Sequence, residues 1–407
     1  MIERHIYLNL WKELSSAKQM IFVSGPRQAG KTTLAKEIAG DFKNNLYFNW
    51  DIVANKRRLI SNPLFFEELN RKDNSKPLVI FDEIHKYKGW KNYLKGVYDQ
   101  FKEDYKFIIS GSGRLDLYQK GGDSLAGRYF LFHLFPFTIS ELAGQRREFK
   151  QFLKSPIDCL ILTGGSKTRL SWQRLYRVGG FPEPFVNKDA IFWQRWSNNY
   201  TRQIIREDIR DTFGLKQVDS IETLFSLLPS RVGSPISINN LAGDLQVSFE
   251  SVKSWLRLFE IYYLVFMIGP WTRKISRAIV KERKLYLFNY PEVDDPGGRF
   301  ENMVALELLR AVSNWNEYGW GRFSLHYLRN KDKEEVDFLL AKGNNPFLLI
   351  ETKISDDSPA KSLIGFQKIL NIPAVQLVNK EGIFRYVKGA NNKILVVTAH
   401  QWLASLP

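Results

Sequence analysis

Residues 25–33 read Gly25-Pro26-Arg27-Gln28-Ala29-Gly30-Lys31-Thr32-Thr33, between an apolar run at 21–24 and a helix-forming run at 33–38. Glycines spaced this way let backbone N–H groups wrap a phosphate where the following helix begins, and the helix's unbonded amides and dipole both favour an anion there. The run predicts a phosphate-binding loop in which all nine residues touch a nucleotide. Lys31 would reach the β- and γ-phosphates and the Thr32 hydroxyl would ligate Mg²⁺. Outward from the loop, apolar strands expected at 20–24, 46–50, 78–81, 107–110 and 129–134 alternate with helical stretches, the pattern of a parallel α/β sheet.

Four apolar residues, 78–81, end in Asp82-Glu83. Carboxylates at the end of a buried strand lie where α/β sheets bind ligands. Asp82 is expected to hold the Mg²⁺ shell and Glu83 to polarise an attacking water. The next strand ends at Ser110-Gly-Ser112-Gly-Arg114, with Ser110 placed to sense a γ-phosphate. Leu125-Ala-Gly-Arg128 precedes a further strand, and Arg128 could act in trans on a neighbour's nucleotide, which implies a homo-oligomer. A plain surface arginine is the alternative. Asp82-Glu83-Ile84-His85 also spells a helicase box, but no paired Gly-Arg motif and no second set of such strands follows, so His85 is expected to be structural or a polar support behind the site rather than a helicase element.

The 407 residues carry 59 Lys+Arg against 43 Asp+Glu, a net +16, with 44% hydrophobic and 25% charged residues. That balance excludes wholesale disorder, and the cationic excess favours a polyanionic partner, DNA foremost. It is uneven: residues 151–200 and 251–300 each contribute +4, whereas 201–250 contribute −2 and 301–350 contribute −1. A single cysteine, Cys159, allows neither an intramolecular disulfide nor a multi-thiolate zinc site and suits a reducing cytoplasm. The start, Met1-Ile-Glu-Arg-His5, lacks the basic flank and apolar core of a signal peptide. The apolar run at 261–269 is about half of the roughly 20 residues that cross a bilayer, so a cytoplasmic location without membrane insertion is expected.

Residues 166–225 read as an aromatic-rich helical lid after the Gly-Gly-Phe-Pro turn at 179–182. Residues 226–292 read as a winged helix: a helix after Ser237, a second helix capped by Ser248, then paired strands. Val252, Trp255, Leu256 and Phe259 take core-facing positions, leaving Ser251, Lys253, Ser254 and Arg257 outward. The run 271–284 has six cations to one anion. Lys253, Arg257, Arg273, Lys274, Arg277 and Arg283 are therefore candidate DNA contacts, gripping duplex phosphates in a salt-sensitive way. Protein docking is the other use of such a module.

Residues 293–407 hold a second carboxylate set. Glu334-Glu335-Val-Asp337 opens one strand, a Lys-Gly-Asn-Asn turn follows, and the return strand ends Ile350-Glu351-Thr-Lys353. Strand alternation puts Glu351 and Lys353 on one face, and the hairpin can bring Asp337 beside them. Such a trio can hold Mg²⁺ while the lysine positions a water, with Glu301 on the preceding apolar-striped helix as a further ligand. Asp337-x13-Glu351-x-Lys353 is similar to the PD-(D/E)xK nuclease core. A solvated hairpin is the plain reading.

The order of strand-end motifs in residues 1–165 resembles the AAA-type ATPases. The whole chain resembles a prokaryotic family with such an ATPase domain, a winged helix and a C-terminal restriction-endonuclease-like domain of unassigned function. The matching segments are 25–33, 78–86, 110–114, 124–134, 179–184, 206–211 and 335–353. The resemblance implies ATP hydrolysis with ATP and Mg²⁺ in a cytoplasmic setting, and it supplies no substrate. Phe288-Asn289-Tyr290-Pro291 departs from the pattern, since an aspartate is expected shortly after the wing strand. The expected function is an Mg²⁺-dependent ATPase that binds and remodels DNA, branched DNA included, with a nuclease-like domain. The alternative is a nucleotide-gated switch whose nuclease-like domain is inactive. A protein partner is not identified.

Overall fold

The computed structural model describes residues 2–112, 115, 125–144, 147–158, 166–210, 217–272, 282–389 and 392–407. The chain divides into two compact units, Met1–Pro136 with Ile261–Tyr263, and Phe137–Glu260 with Leu264–Pro407.

In the first unit, α1 (His5–Ala17) leads into β1 (Met20–Ser24), α2 (Lys31–Gly40), β2 (Asn45–Asn49), α3 (Val53–Ser61), β3 (Leu78–Asp82), α4 (Trp90–Phe101), β4 (Lys106–Ser110) and β5 (Phe130–His133). The five strands are all parallel, in the order β2-β3-β4-β1-β5. β1 and β3 are buried at every position because helices cover the sheet, as continuous apolar runs require. Met20 and Phe22 of β1 join Phe81, Phe107 and Ile109 against Trp90, Leu94, Val97 and Phe101 of α4. Inserting β4 between β1 and β3 sets the loop after β1 and the carboxylates after β3 at the same sheet edge, with Ser110 between them.

In the second unit, α5 (Ile139–Ala143), α6 (Phe149–Lys154), α7 (Ser166–Val178), α8 (Pro182–Asn187) and α9 (Ala190–Gln203) precede a π-helical turn (Ile204–Ile209) and α10 (Val218–Leu227). α11 (Ile238–Leu245) and α12 (Phe249–Ile261) are followed by an antiparallel pair, β6 (Val265–Ile268) and β7 (Lys284–Leu287). Val252, Trp255, Leu256 and Phe259 are buried on α12 while Lys253, Ser254 and Arg257 are exposed, as the helical spacing predicts.

The long α13 (Pro296–Glu317) introduces a six-stranded mixed sheet: β8 (Phe323–Arg329), β9 (Glu335–Lys342), β10 (Asn345–Lys353), α14 (Lys361–Leu370), β11 (Ala374–Val378), β12 (Phe384–Lys388) and β13 (Lys393–Thr398), closed by α15 (Ala399–Leu403). The order is β12-β13-β11-β10-β9-β8. β8, β9 and β10 run antiparallel, and the crossover through α14 makes β10 and β11 parallel. The β9–β10 hairpin forms where the sequence placed it; β8, β12 and β13 extend the sheet beyond the expected strands. No described helix is long and apolar enough to cross a membrane.

Candidate functional site

The loop between β1 and α2 is built on backbone shapes that few residues accept. Gly25 has φ +144° and lies against the Leu134 backbone, where a Cβ would collide with the carbonyl oxygen. Gln28 and Gly30 take φ +57° and +97°, and Gly30 caps α2 in the left-handed region. Such a turn directs successive N–H groups inward at a helix start. Lys31 is buried and its ammonium donates to the carbonyls of Gly25 (2.9 Å) and Pro26 (2.6 Å), so the cation lies inside the curve of the loop. Arg4, buried ahead of α1, donates to the carbonyls of Ala29 (3.0 Å) and Phe135 (2.7 Å) and braces the loop from behind. Its distance from the loop in sequence hid that role.

Asp82, buried at the end of β3, receives three hydroxyls. Thr32 donates to Oδ2 at 2.7 Å, Tyr47 donates to Oδ2 at 2.8 Å and Ser110 donates to Oδ1 at 2.6 Å. Parallel pairing of Asn49 with Asp82 and of Asp82 with Ser110 brings the three strand ends level. Burial first, and then the Asp82 carboxylate, push the Tyr47 phenol up to about 12, so it stays a donor throughout the physiological range. Tyr47 escaped the sequence reading; its place inside the strand expected at 46–50 was the available signal. Hard oxygens from Thr32 and Asp82, 2.7 Å apart beside the phosphate loop, suit Mg²⁺.

Glu83 follows with φ +57°, a left-handed backbone rare for a carboxylate residue, and its N–H donates to the Ser110 carbonyl at 2.8 Å. Its carboxylate lies 3.2 Å from the Lys86 ammonium and 3.6 Å from His85 Nε2. Lys86 also pairs with Asp51 at 2.6 Å. Burial would lower the Lys86 ammonium, but Glu83 and Asp51 together hold it above its ordinary value. His85 is buried against Gly111, where any Cβ would press on the imidazole within 2.5 Å.

Arg128 is fixed by a bidentate bond to Asp99 of α4, at 2.7 and 2.9 Å. Those bonds hold the Asp99 carboxyl below its ordinary value. Arg114 lies outside the described residues, as do Arg273, Lys274 and Arg277 of the basic run. Lys253 and Arg257 are exposed on α12, Lys253 lying 3.5 Å from Glu250, and Arg283 is bidentate to Glu260 at 3.1 and 3.2 Å.

In the C-terminal sheet, the structure brings Glu301, Asp337, Glu351 and Lys353 together and adds two groups the sequence reading missed, Lys284 of β7 and Glu335. Lys284 is fully buried; its ammonium lies 3.0 Å from Glu301, 2.5 Å from Glu335 and 4.0 Å from Asp337. Burial alone would lower that ammonium, but Glu301, Asp337 and Glu335 hold it above the ordinary lysine value. Tyr286 donates to the same Glu301 oxygen at 2.7 Å. Asp337 accepts from the Thr352 N–H (2.8 Å) and hydroxyl (2.6 Å). Lys353 donates to Glu351 at 2.6 Å. Burial and the neighbouring Asp337 push Glu301 up to about 7 and raise Glu351 as well. Among the described residues, no group of three or more His, Cys, Asp or Glu side chains is arranged to hold a metal ion.

Residues 17–143 match the family model described as AAA domain. Residues 169–290 and 296–400 match two models described as domains of unknown function, DUF8612 and DUF4143. Uncharacterised proteins of Mycobacterium bovis and Mycobacterium tuberculosis are each 22% identical over 359 residues, spanning 84% of this chain and 72% of theirs. Among solved structures, a Walker-type ATPase of Pyrococcus abyssi aligns with TM-score 0.44 at 14% identity, over 72% of this chain and 95% of that one. AMPPCP-bound DnaA from Aquifex aeolicus aligns with TM-score 0.31 at 13% identity, over 63% and 86% of the two chains.

Proposed function

We propose that this chain, whose N-terminal unit is an AAA-type ATPase domain, hydrolyses Mg²⁺-ATP to bind and remodel DNA, branched DNA included. The observation that carries the ATPase half is the hydroxyl–carboxylate knot of Thr32, Asp82 and Ser110 beside the left-handed loop at 25–31. Backbone N–H groups of residues 25–33, Pro26 excepted, would bind the phosphates, and the Lys31 ammonium would turn to them from the loop carbonyls it now contacts. Thr32 and Asp82 would hold Mg²⁺, which supplies charge neutralisation on the phosphates when bound. Glu83 would orient the attacking water and Ser110 would contact the γ-phosphate. Arg128, released from Asp99, would complete a neighbour's site in a homo-oligomer.

The DNA half rests on the +16 charge, on the exposed cations of α12, Lys253 and Arg257, and on the cation-rich sequence of the run 271–284. The C-terminal sheet is a DNA-binding platform in this reading. ATPase rates against linear, flapped and junction DNA at two salt concentrations test it. A many-fold stimulation that weakens with salt supports a remodelling ATPase.

One observation favours a second reading, a nucleotide-gated switch with slow turnover: the Glu83 carboxylate is held by Lys86 at 3.2 Å. ATPase rates indifferent to every DNA, with nucleotide-dependent assembly, would select the switch.

A further inference from the structure

The carboxylates of the C-terminal sheet do not fit a divalent cation, because a buried ammonium already lies among them and most of their oxygens accept hydrogen bonds. Mg²⁺ demands near-octahedral oxygen ligands at about 2.0–2.1 Å and surrenders its waters reluctantly. Here Glu301 Oε1 accepts from both Lys284 and Tyr286. Glu335 Oε1 is 2.5 Å from Lys284, and Arg329 lies 3.7 Å from its other oxygen. Asp337 Oδ2 accepts twice from Thr352. Glu351 is taken by Lys353, and its second oxygen accepts the Asp337 N–H at 3.4 Å. The second Glu301 oxygen lies where a Cβ on Gly233 would be 2.9 Å away, so backbone closes that side.

We infer that Lys284 is the resident cation of this cluster, and that the C-terminal sheet of this chain holds no catalytic Mg²⁺ and does not cut DNA. A fully buried ammonium is tolerated only where carboxylates surround it, and carboxylates packed this closely need a cation among them. Lysine supplies that charge permanently, on a strand rather than from solution. The same contact fastens the β6–β7 pair to the sheet. Asn302 of α13 reinforces it by bonding both the N–H and the carbonyl of Leu287, each at 2.8 Å. The basic run 271–284 therefore leads directly into a strand locked to the C-terminal sheet. The inference is independent of the ATPase reading, since none of these residues belongs to the nucleotide site.

Mn²⁺ titration of the nucleotide-free full chain, read by the loss of the free-ion electron paramagnetic signal, tests it. Wild type and Asp337→Asn are expected to give superimposable curves; an Asp337-dependent site in wild type overturns the inference. Lys284→Met is expected to gain a Mn²⁺ site that Lys284→Met/Asp337→Asn lacks, and a folded Lys284→Met chain without that gain also overturns it. Where Lys284→Met does not fold, the first comparison alone decides. Nicking of supercoiled plasmid with Mn²⁺ is expected to stay at background; nicking by wild type that Asp337→Asn abolishes refutes the inference.

Discussion

Replacing Tyr47 by phenylalanine removes one hydroxyl and little else. The ring keeps its place on β2, and Thr32 and Ser110 still donate to Asp82 at 2.7 and 2.6 Å. The lost bond, 2.8 Å to a carboxylate, is charge-assisted, but Tyr47 is only half-buried and water can replace part of it. A hydrogen bond to a charged group contributes about 1.5–3 kcal/mol, and exposure brings this one to the lower bound or just under it, about 1–1.5 kcal/mol. If Asp82 holds Mg²⁺ with Thr32, that energy appears as a looser metal site. The Mg²⁺ concentration giving half-maximal ATPase should rise roughly five- to tenfold, 1.4 kcal/mol being about a factor of ten. The kcat at saturating Mg²⁺ should stay within about twofold, since the phenol touches no reacting atom. The assay is steady-state ATP hydrolysis at fixed ATP over a Mg²⁺ series. An unchanged Mg²⁺ midpoint would refute the assignment of Asp82 to the metal; a collapse of kcat at saturating Mg²⁺ would place Tyr47 in the chemistry itself.

Glu83→Gln and Lys31→Ala should each reduce ATPase at least about 10²-fold, Glu83→Gln while still binding a fluorescent ATP analogue; full turnover in either rejects the site. Arg128→Ala should lose hydrolysis alone and regain part of it when mixed with Lys31→Ala subunits, because each supplies what the other lacks; no complementation at any mixing ratio removes the trans role. Burial holds the Glu307 carboxyl up to about 8, while the Ile139 N–H bonds it at 2.6 Å. The folded chain therefore keeps a proton that the unfolded chain releases above about 4.5. This stabilisation is complete below pH 4.5 and lost as pH rises to about 8, an upper bound of about 3–5 kcal/mol. Glu307→Gln, which imitates the protonated form, should flatten the fall in Tm between pH 5 and 8; an unchanged slope would mean that other groups carry it.

The proposed nucleotide site was legible because its parts are local. An apolar run, a glycine-framed loop and a helix follow one another within residues 20–40, and Asp82 and Ser110 each close an apolar strand. The exposed face of α12 was legible for the same reason, as helical spacing alone separates Lys253 and Arg257 from Trp255 and Leu256. Arg4 and Tyr47 were not, since their roles depend on what lies opposite them after folding. Hairpin geometry pointed to Asp337 beside Glu351 and Lys353, and the preceding helix to Glu301, yet the chemistry inferred from them changes once Lys284 is placed among them.

Motif order by itself determined the parallel sheet and the loop at its edge, because strand burial and phosphate-loop geometry are written in contiguous residues. Tertiary structure alone decided which charges meet. Tyr47 reaches Asp82 only because β2 pairs in register with β3, and Lys284 enters the carboxylate cluster only because β7 packs on α13 and the sheet. A carboxylate's preference between a metal and an ammonium depends on distances of a few ångströms between residues far apart in the chain, and no local pattern encodes them.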